Sequence, residues 1–290
     1  MNLTIQGLSK TYPNGVKALE DITLTLAPGM FGLLGPNGAG KSTLMRTLAT
    51  LQEADTGTVT LGDLDVLRDK EQVRRTLGYL PQEFGLSPKA RAVDLLGTFA
   101  IMKGITGSSD RAAVVEALLR KTNLWDHRKK RVGGYSGGMK RRFGIAVALL
   151  GDPRLIIVDE PTAGLDPAER ARFHNLLSEL GRDAIVLLST HIVEDVANLC
   201  PTVAVLYCGR IQLQGSPDEL CARLAPRLFA RAVDGTEVAA IEAQLPVIST
   251  RLRAGRHEVR VLADEAPEGF APAVPTLEDV YFAVTTERWS

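Results

Sequence analysis

The run Gly35-Pro36-Asn37-Gly38-Ala39-Gly40-Lys41-Ser42 sets three glycines in front of a lysine and a hydroxyl. Glycines let neighbouring backbone N–H groups turn toward one point, and a helix opening at the lysine adds the positive end of its dipole, so the run suits a phosphate group. The apolar stretch Met30 to Leu34 precedes it, and Leu44, Leu48 and Leu51 follow at helical spacing, the context of a phosphate-binding loop. In that chemistry the Lys41 ammonium contacts the β- and γ-phosphates and the Ser42 hydroxyl ligates Mg²⁺. The bland reading of the same residues is a glycine turn that merely precedes a helix.

A second constellation is Leu155-Ile156-Ile157-Val158-Asp159-Glu160, an apolar run ending in two carboxylates. Open α/β sheets place ligands at the carboxyl ends of their strands, where Asp159 would hold Mg²⁺ through its water shell and Glu160 would orient the water that attacks the γ-phosphorus. Capping the loop toward Pro161 is the alternative use of the pair.

These residues need a scaffold, and the apolar pattern supplies one. Met30 to Leu34, Leu155 to Val158 and Ala184 to Leu188 are continuous apolar runs separated by helical patterns, which predicts parallel strands covered on both faces. Before them, Leu3, Ile5, Ile22, Leu24 and Leu26 alternate with polar residues, as half-buried antiparallel strands do. Met139, Phe143, Ala146 and Leu150 mark a helix that stops at Gly151-Asp152-Pro153. From about Glu83 to Gly134 helix formers prevail and no strand is predicted, so a helical subdomain is inserted there. Val203 to Tyr207 and Ile211 to Gln214 flank Cys208-Gly209-Arg210, a hairpin signal. Past Gly215-Ser216-Pro217 the composition shifts toward Ala, Val, Pro and Arg, and a small α+β appendage is expected.

Composition narrows the classes. Of 290 residues 45% are hydrophobic and 23% charged, and 34 basic residues balance 34 acidic ones, which argues against disorder and against binding that rests on neutralising many phosphates. No apolar run approaches the ~20 residues of a bilayer span and no basic-then-apolar leader opens the chain, so neither a membrane span nor a secretory signal is expected. Cys200, Cys208 and Cys221 lack metal-ligand spacing and are expected to be reduced thiols with no special role.

Four further segments follow in order: Tyr79-Leu80-Pro81-Gln82, Tyr135-Ser136-Gly137-Gly138-Met139, Ala163-Gly164-Leu165-Asp166 and Ser189-Thr190-His191. With the phosphate loop and the carboxylate pair they make residues of about 1–218 resemble the nucleotide-binding subunit of an ATP-binding cassette (ABC) transporter. The resemblance implies an α/β P-loop ATPase core with an antiparallel β subdomain and an inserted helical subdomain at about 83–134, and it leaves 219–290 as an accessory domain. It implies ATP and Mg²⁺ as ligands, with Thr43 completing the phosphate loop after Ser42. Gln82 joins the metal shell and links the helical subdomain to the nucleotide, His191 touches the γ-phosphate, and Asp166 belongs to the loop after the catalytic carboxylate. Tyr12, ahead of the turn Pro13-Asn14-Gly15, is the aromatic that stacks on adenine, offering a ring face. Each has a plainer alternative: a surface amide, an inert strand-end histidine, a tyrosine flanking a hairpin.

Ser136-Gly137-Gly138 opens the helix that runs toward Leu150 and gives a second helix N-terminus suited to an anion, or simply a serine cap. The family pairs two cassettes head to tail, so that this segment of one covers the ATP of the other, which implies a homodimer here. Tyr135 and Met139 replace the commoner leucine and glutamine and resemble export-type bacterial members, as does the tail Pro275-Thr276-Leu277-Glu278-Asp279-Val280-Tyr281-Phe282, whose apolar positions also fit simple packing. The implied partners are separate transmembrane permease subunits, and the implied location is the cytoplasmic face of the membrane. The basic runs Arg128 to Arg131 and Lys140 to Arg142 read as solvated faces or as phosphate and partner contacts, and nucleic acid is not expected. The rival within the family is a soluble ATPase acting on nucleic acid or ribosomes, which usually carries tandem cassettes or a coiled-coil insertion.

Overall fold

The computed structural model describes residues 1–82, 85–162 and 165–289. Glu83 and Phe84, at the start of the expected helical insertion, and Ala163 and Gly164 of the loop toward Asp166 lie outside the described residues, as does Ser290.

Strands β1 (Leu3–Thr11) and β2 (Lys17–Leu26) pair antiparallel with Leu3 opposite Leu26 and Ile5 opposite Leu24, so the alternating apolar residues share one buried face. β3 (Gly29–Leu34) leads through the glycine-rich loop into α1 (Lys41–Leu48). That helix ends earlier than the spacing predicts, because Thr50 takes a left-handed φ of 60°, and Leu51 lies beyond it, exposed. β4 (Thr56–Leu61) and β5 (Leu64–Asp65) complete an antiparallel sheet in the order β2-β1-β4-β5. α2 (Lys70–Thr76) and β6 (Leu77–Leu80) follow.

The next helices, α3 (Ala92–Met102), α4 (Ser108–Lys121) and α5 (Gly137–Ala148), share a separate apolar cluster that includes Leu96, Leu119, Leu124, Val132 and Phe143. β7 (Leu155–Asp159), α6 (Pro167–Leu180), β8 (Ile185–Thr190) and α7 (Val193–Leu199) return the chain to the centre. β9 (Thr202–Tyr207) and β10 (Arg210–Gly215) form a hairpin whose two loop residues, Cys208 and Gly209, both have positive φ, the geometry that matches strand twist. The central sheet has the order β10-β9-β3-β8-β7-β6, parallel from β9 to β6, with its apolar runs buried on both faces. The expected α/β core with an antiparallel sheet and a helical insertion is therefore observed.

The C-terminal residues form α8 (Pro217–Leu224), β11 (Leu228–Val233), α9 (Gly235–Gln244), β12 (Val247–Arg253), β13 (Arg256–Leu262), β14 (Ala271–Pro272) and α10 (Leu277–Thr285). Their sheet runs β12-β13-β11-β14. Leu277, Val280, Ala283 and Val284 of α10 join the same apolar cluster as Leu34, Ile156 and Val186 of the central sheet, so the tail is packed onto the core. Asp279, fully buried, caps α10 through Thr276 and accepts from Arg260 Nη1 at 2.6 Å and Arg251 Nη2 at 3.2 Å. Among the described residues no helix is long and apolar enough to cross a membrane.

Candidate nucleotide site

Strand register brings the sequence motifs to one edge. In the parallel sheet Leu34 lies opposite Thr190 and Asp159 opposite Ser189, so Gly35, Glu160 and His191 all leave the sheet at the carboxyl end of adjacent strands. Leu80 lies opposite Val158, and Pro81-Gln82 depart beside the carboxylate pair, with Gln82 exposed. The polar residues thus sit where an open α/β sheet leaves a crevice.

Gly40, the residue before α1, has φ 108°, a backbone conformation that a side chain rarely adopts, and a Cβ there would stand 2.2 Å from Ala18 O. At Gly35 a Cβ would stand 2.4 Å from Leu206 O. The loop is consequently closed against β2 and β9 on its inner side, while Gly38 and Ser42 face outward. Lys41 is buried at 7% exposure, and its Nζ donates to Gly35 O at 2.6 Å and Pro36 O at 3.1 Å. Burial pulls its ammonium below the ordinary pKa, opposed by the carboxylates of Glu160 and Asp159.

Asp159 is buried at the end of β7, and desolvation pushes its carboxyl above the usual range, with the charge of Glu160 adding to the rise and the Ser189 hydroxyl, Lys41 and Arg141 opposing it. Glu160 adopts a left-handed φ of 48° and is 6% exposed. Its N–H donates to Ser189 O at 2.8 Å, and its Oε2 accepts from Thr190 Oγ1 at 3.3 Å and lies 2.9 Å from His191 Nδ1. Thr190 Oγ1 in turn accepts from Ile192 N–H at 3.0 Å, which fixes the turn that carries His191. A buried carboxylate thus stands at this sheet edge with an imidazole beside it.

The residues that the sequence offers to a cation here, the Ser42 hydroxyl, the Gln82 amide and the Asp159 carboxylate, are all oxygen donors. Among the described residues no group of three His, Cys, Asp or Glu side chains forms a cage. One carboxylate with a hydroxyl and an amide fits Mg²⁺, which keeps waters and takes its remaining ligands from substrate phosphates.

Tyr12 offers more than a ring. Its hydroxyl donates to Gln52 Oε1 at 3.1 Å, so its one proton is used, and the 3.1 Å bond to Thr43 has the Thr43 hydroxyl donating. The aromatic is tethered to α1 directly behind the phosphate loop.

The second helix N-terminus is held by contacts of its own. Ser136 caps α5 by accepting from Met139 N–H, Tyr135 is buried with its hydroxyl donating to His127 O at 3.0 Å, and Gly138 is held so close to α6 that a Cβ would meet Glu169 Oε2 at 2.8 Å. Gly137 is exposed and a Cβ there meets nothing within 4 Å. Asp166 caps α6 by accepting from Glu169 N–H at 2.8 Å. Among the described residues no hydrogen bond or ion pair joins Ser136, Gly137, Gly138 or Asp166 to the phosphate loop of the same chain.

Comparison with known proteins gives the kinship. The family model described as ABC transporter matches residues 19–163. The daunorubicin resistance ATP-binding protein DrrA3 of Streptomyces coeruleorubidus is 33% identical over 98% of this chain and 95% of its own length. The chain belongs to the ABC transporter ATP-binding family. Its matched residues are the ATP-binding part that this family shares. The probable multidrug ABC transporter ATP-binding protein YbhF of Escherichia coli K12 is 34% identical over 78% of this chain, which spans only 39% of that longer protein. Among solved structures, an ATP-binding subunit of an ABC transporter superposes with a TM-score of 0.69 at 28% identity, over 77% of this chain and 93% of the other. The ABC cassette MJ0796, solved as a dimer bound to ADP and Pi, has the same fold at 24% identity and a TM-score of 0.67, over 74% of this chain and 98% of its own.

Three features of this ABC chain escaped the sequence pattern. Arg141 turns inward from α5, half-buried, with its charge acting on Asp159 and Glu160, where its basic run left a solvated face and a phosphate or partner contact both open. His174, which lacked any context in the sequence, has Nε2 2.8 Å from a buried carboxylate, that of Asp195. The same carboxylate accepts from Thr162 Oγ1 and from Arg170 Nε at 2.6 Å. The spacing of Arg170 and His174, four apart on α6, was the available signal.

Proposed function

We propose that this chain is the ATP-hydrolysing subunit of an ABC exporter and drives separate membrane permease subunits from the cytoplasmic face of the membrane. The observation that carries the reading is the 2.9 Å approach of His191 Nδ1 to Glu160 Oε2 on the edge from which the Gly35 to Ser42 loop departs. In this reading backbone N–H groups of Gly35, Pro36's successor Asn37, Gly38, Ala39, Gly40 and the first turn of α1 cradle the phosphates, with Lys41 leaving its loop carbonyls for the β- and γ-phosphates and Thr43 closing the turn. Glu160 orients the attacking water, His191 donates toward the γ-phosphate, and Tyr12 packs its ring on adenine. Ser42, Gln82 and Asp159 would hold Mg²⁺. When bound there, Mg²⁺ offsets the charge that develops on the phosphate oxygens.

Exposed Ser136 and Gly137 at the start of α5 support a head-to-tail pair of cassettes, each covering the nucleotide of the other, since Gly137 leaves room for a group from outside the chain. Asp166, engaged as a helix cap, then acts on the nucleotide through the position of its loop. ATP closes the pair, and hydrolysis lets it reopen and passes work through Gln82 and the helices α3 and α4 to the permease. Export as the direction draws support from the names of the relatives and from Tyr135, Met139 and the tail segment.

The test pairs chemistry with location. Glu160→Gln in the full chain is expected to bind MgATP as wild type does and to lose at least about a hundredfold in single-turnover hydrolysis, on the scale of a lost general base. Wild-type chain expressed with its permease is expected to sediment with membranes and to be released when the permease is omitted. Unchanged hydrolysis removes Glu160 from the mechanism, and a chain that stays in the soluble fraction beside its permease refutes the transport reading in favour of a soluble ATPase.

A further inference from the structure

Asp195 is 1% exposed, and three elements converge on it. From the segment after β7, Thr162 donates its hydroxyl to Oδ2. From α6, Arg170 donates Nε to Oδ1 at 2.6 Å with Nη2 at 2.5 Å, and His174 places Nε2 at 2.8 Å from the same oxygen. The carboxylate itself belongs to α7, whose first residue, Val193, comes two positions after His191. A buried carboxylate is kept only where charge and hydrogen bonds compensate its lost hydration, and here the Arg170 guanidinium and the Thr162 hydroxyl do so.

The geometry points to Asp195 as a positioning residue for Glu160. Glu160 is a non-glycine residue at φ 48°, a conformation that persists only when its surroundings over-determine it. Upstream, its N–H is held by Ser189 O at 2.8 Å. Downstream, the next hydrogen-bonding side chain is Thr162, which is itself buried and whose hydroxyl ends on Asp195. The left-handed turn is clamped at both ends, and the second clamp is fixed to α7, the helix that follows His191. One buried carboxylate therefore sets the direction of the Glu160 side chain and the separation between Glu160 and His191, while touching neither. The ion pair with Arg170 ties α6 to the same carboxylate, so Thr162 and α6 are both anchored to one group.

This inference rests on the reading of Glu160 and His191 as the hydrolytic pair. Its test uses the full chain, with turnover expressed per bound MgATP so that partial unfolding drops out. Thr162→Val removes only the hydroxyl and Thr162→Ser restores it. Thr162→Val is expected to lower kcat roughly ten- to a hundredfold, the scale of a misplaced reacting group, with KM for MgATP within about twofold of wild type. Thr162→Ser is expected to recover most of the loss, and Asp195→Asn to reproduce it. In a Glu160→Gln background neither Thr162→Val nor Asp195→Asn should slow residual hydrolysis further, because there is no carboxylate left to aim. A wild-type kcat per bound nucleotide in Thr162→Val, an equal loss in Thr162→Ser, or losses that multiply in the Glu160→Gln background would each overturn the proposal. Should Asp195→Asn fail to fold, the Thr162 pair decides alone. Normal hydrolysis by Glu160→Gln would instead overturn the reading of the site on which the proposal stands.

Discussion

Aspartate in place of Gly137 separates nucleotide binding from pairing of two cassettes. Gly137 is the first residue of α5, it is exposed, and a Cβ added there meets nothing within 4 Å. The substitution is therefore accommodated in the monomer, and an acidic residue in the first helical turn is favourable by roughly 0.3–1 kcal/mol. In a head-to-tail pair the same carboxylate faces the γ-phosphate held by the partner. Two unit charges at about 5 Å in an effective dielectric of about 20 repel by about 3.3 kcal/mol, between two and three decades in a dimerisation constant for one site. A symmetric pair has two such sites, and the γ-phosphate carries at least one charge, so that figure is a lower bound. With Glu160→Gln as background to halt hydrolysis, MgATP is expected to drive dimer formation visible by light scattering at micromolar chain. Adding Gly137→Asp should abolish the dimer at least up to a hundredfold higher concentration while leaving ATP affinity intact, because Lys41 and the phosphate loop act within one chain. A double variant that still dimerises with ATP, or one that loses ATP affinity along with the dimer, refutes the reasoning about this turn.

Lys41→Ala removes the ammonium that is bonded to the phosphate-loop carbonyls and is expected to abolish tight MgATP binding in a fluorescent-nucleotide titration; wild-type affinity and turnover would sink the phosphate-loop assignment. Tyr12→Ala should weaken ATP binding by about 1–2 kcal/mol, the size of base–aromatic stacking, and Tyr12→Phe should keep the stacking while losing the tether to Gln52 and Thr43; equal losses in the two would mean that the hydroxyl, not the ring, matters. Asp279→Ala leaves Arg260, 7% exposed at its side chain, without its buried counter-charge and should cost about 3–5 kcal/mol in denaturant unfolding, with a loss under about 1 kcal/mol counting against the cluster as a brace of the tail. Gly78→Ala brings a Cβ to 2.2 Å from Ala148 O, a backbone atom that cannot swing aside, and should lower the melting temperature by several degrees through the β6 contact with α5.

Much of this protein is written locally. The three apolar runs became β3, β7 and β8 because a strand covered on both faces has no polar alternate, and the loop between β3 and α1 shows itself through glycines that a close backbone approach demands. The hairpin at Cys208-Gly209 is legible for the same reason, two residues sufficing to turn the chain. β6 was not legible: four residues with a glycine among them carry no period, and they form a strand only because β7 and α5 are there to receive them. Leu51 obeyed the helical spacing and still fell outside α1, since a left-handed residue at Thr50 ended the helix first.

For the site, residue types and order singled out the groups that strand register gathers at one sheet edge, because glycine loops and strand-end carboxylates show themselves through their immediate neighbours in the chain. What only the tertiary structure decided is the set of contacts between residues far apart in sequence: Tyr12 to Thr43 and Gln52, Arg141 toward the carboxylates, and Asp195 joined to Thr162, Arg170 and His174 across 21 to 33 positions. The four-residue spacing of Arg170 and His174 is the local trace of such a knot, and it does not name the carboxylate they share. Its members are ordinary surface types whose burial follows from where β7, α6 and α7 pack, and a charge becomes structural only after that packing has removed its water and supplied its partners.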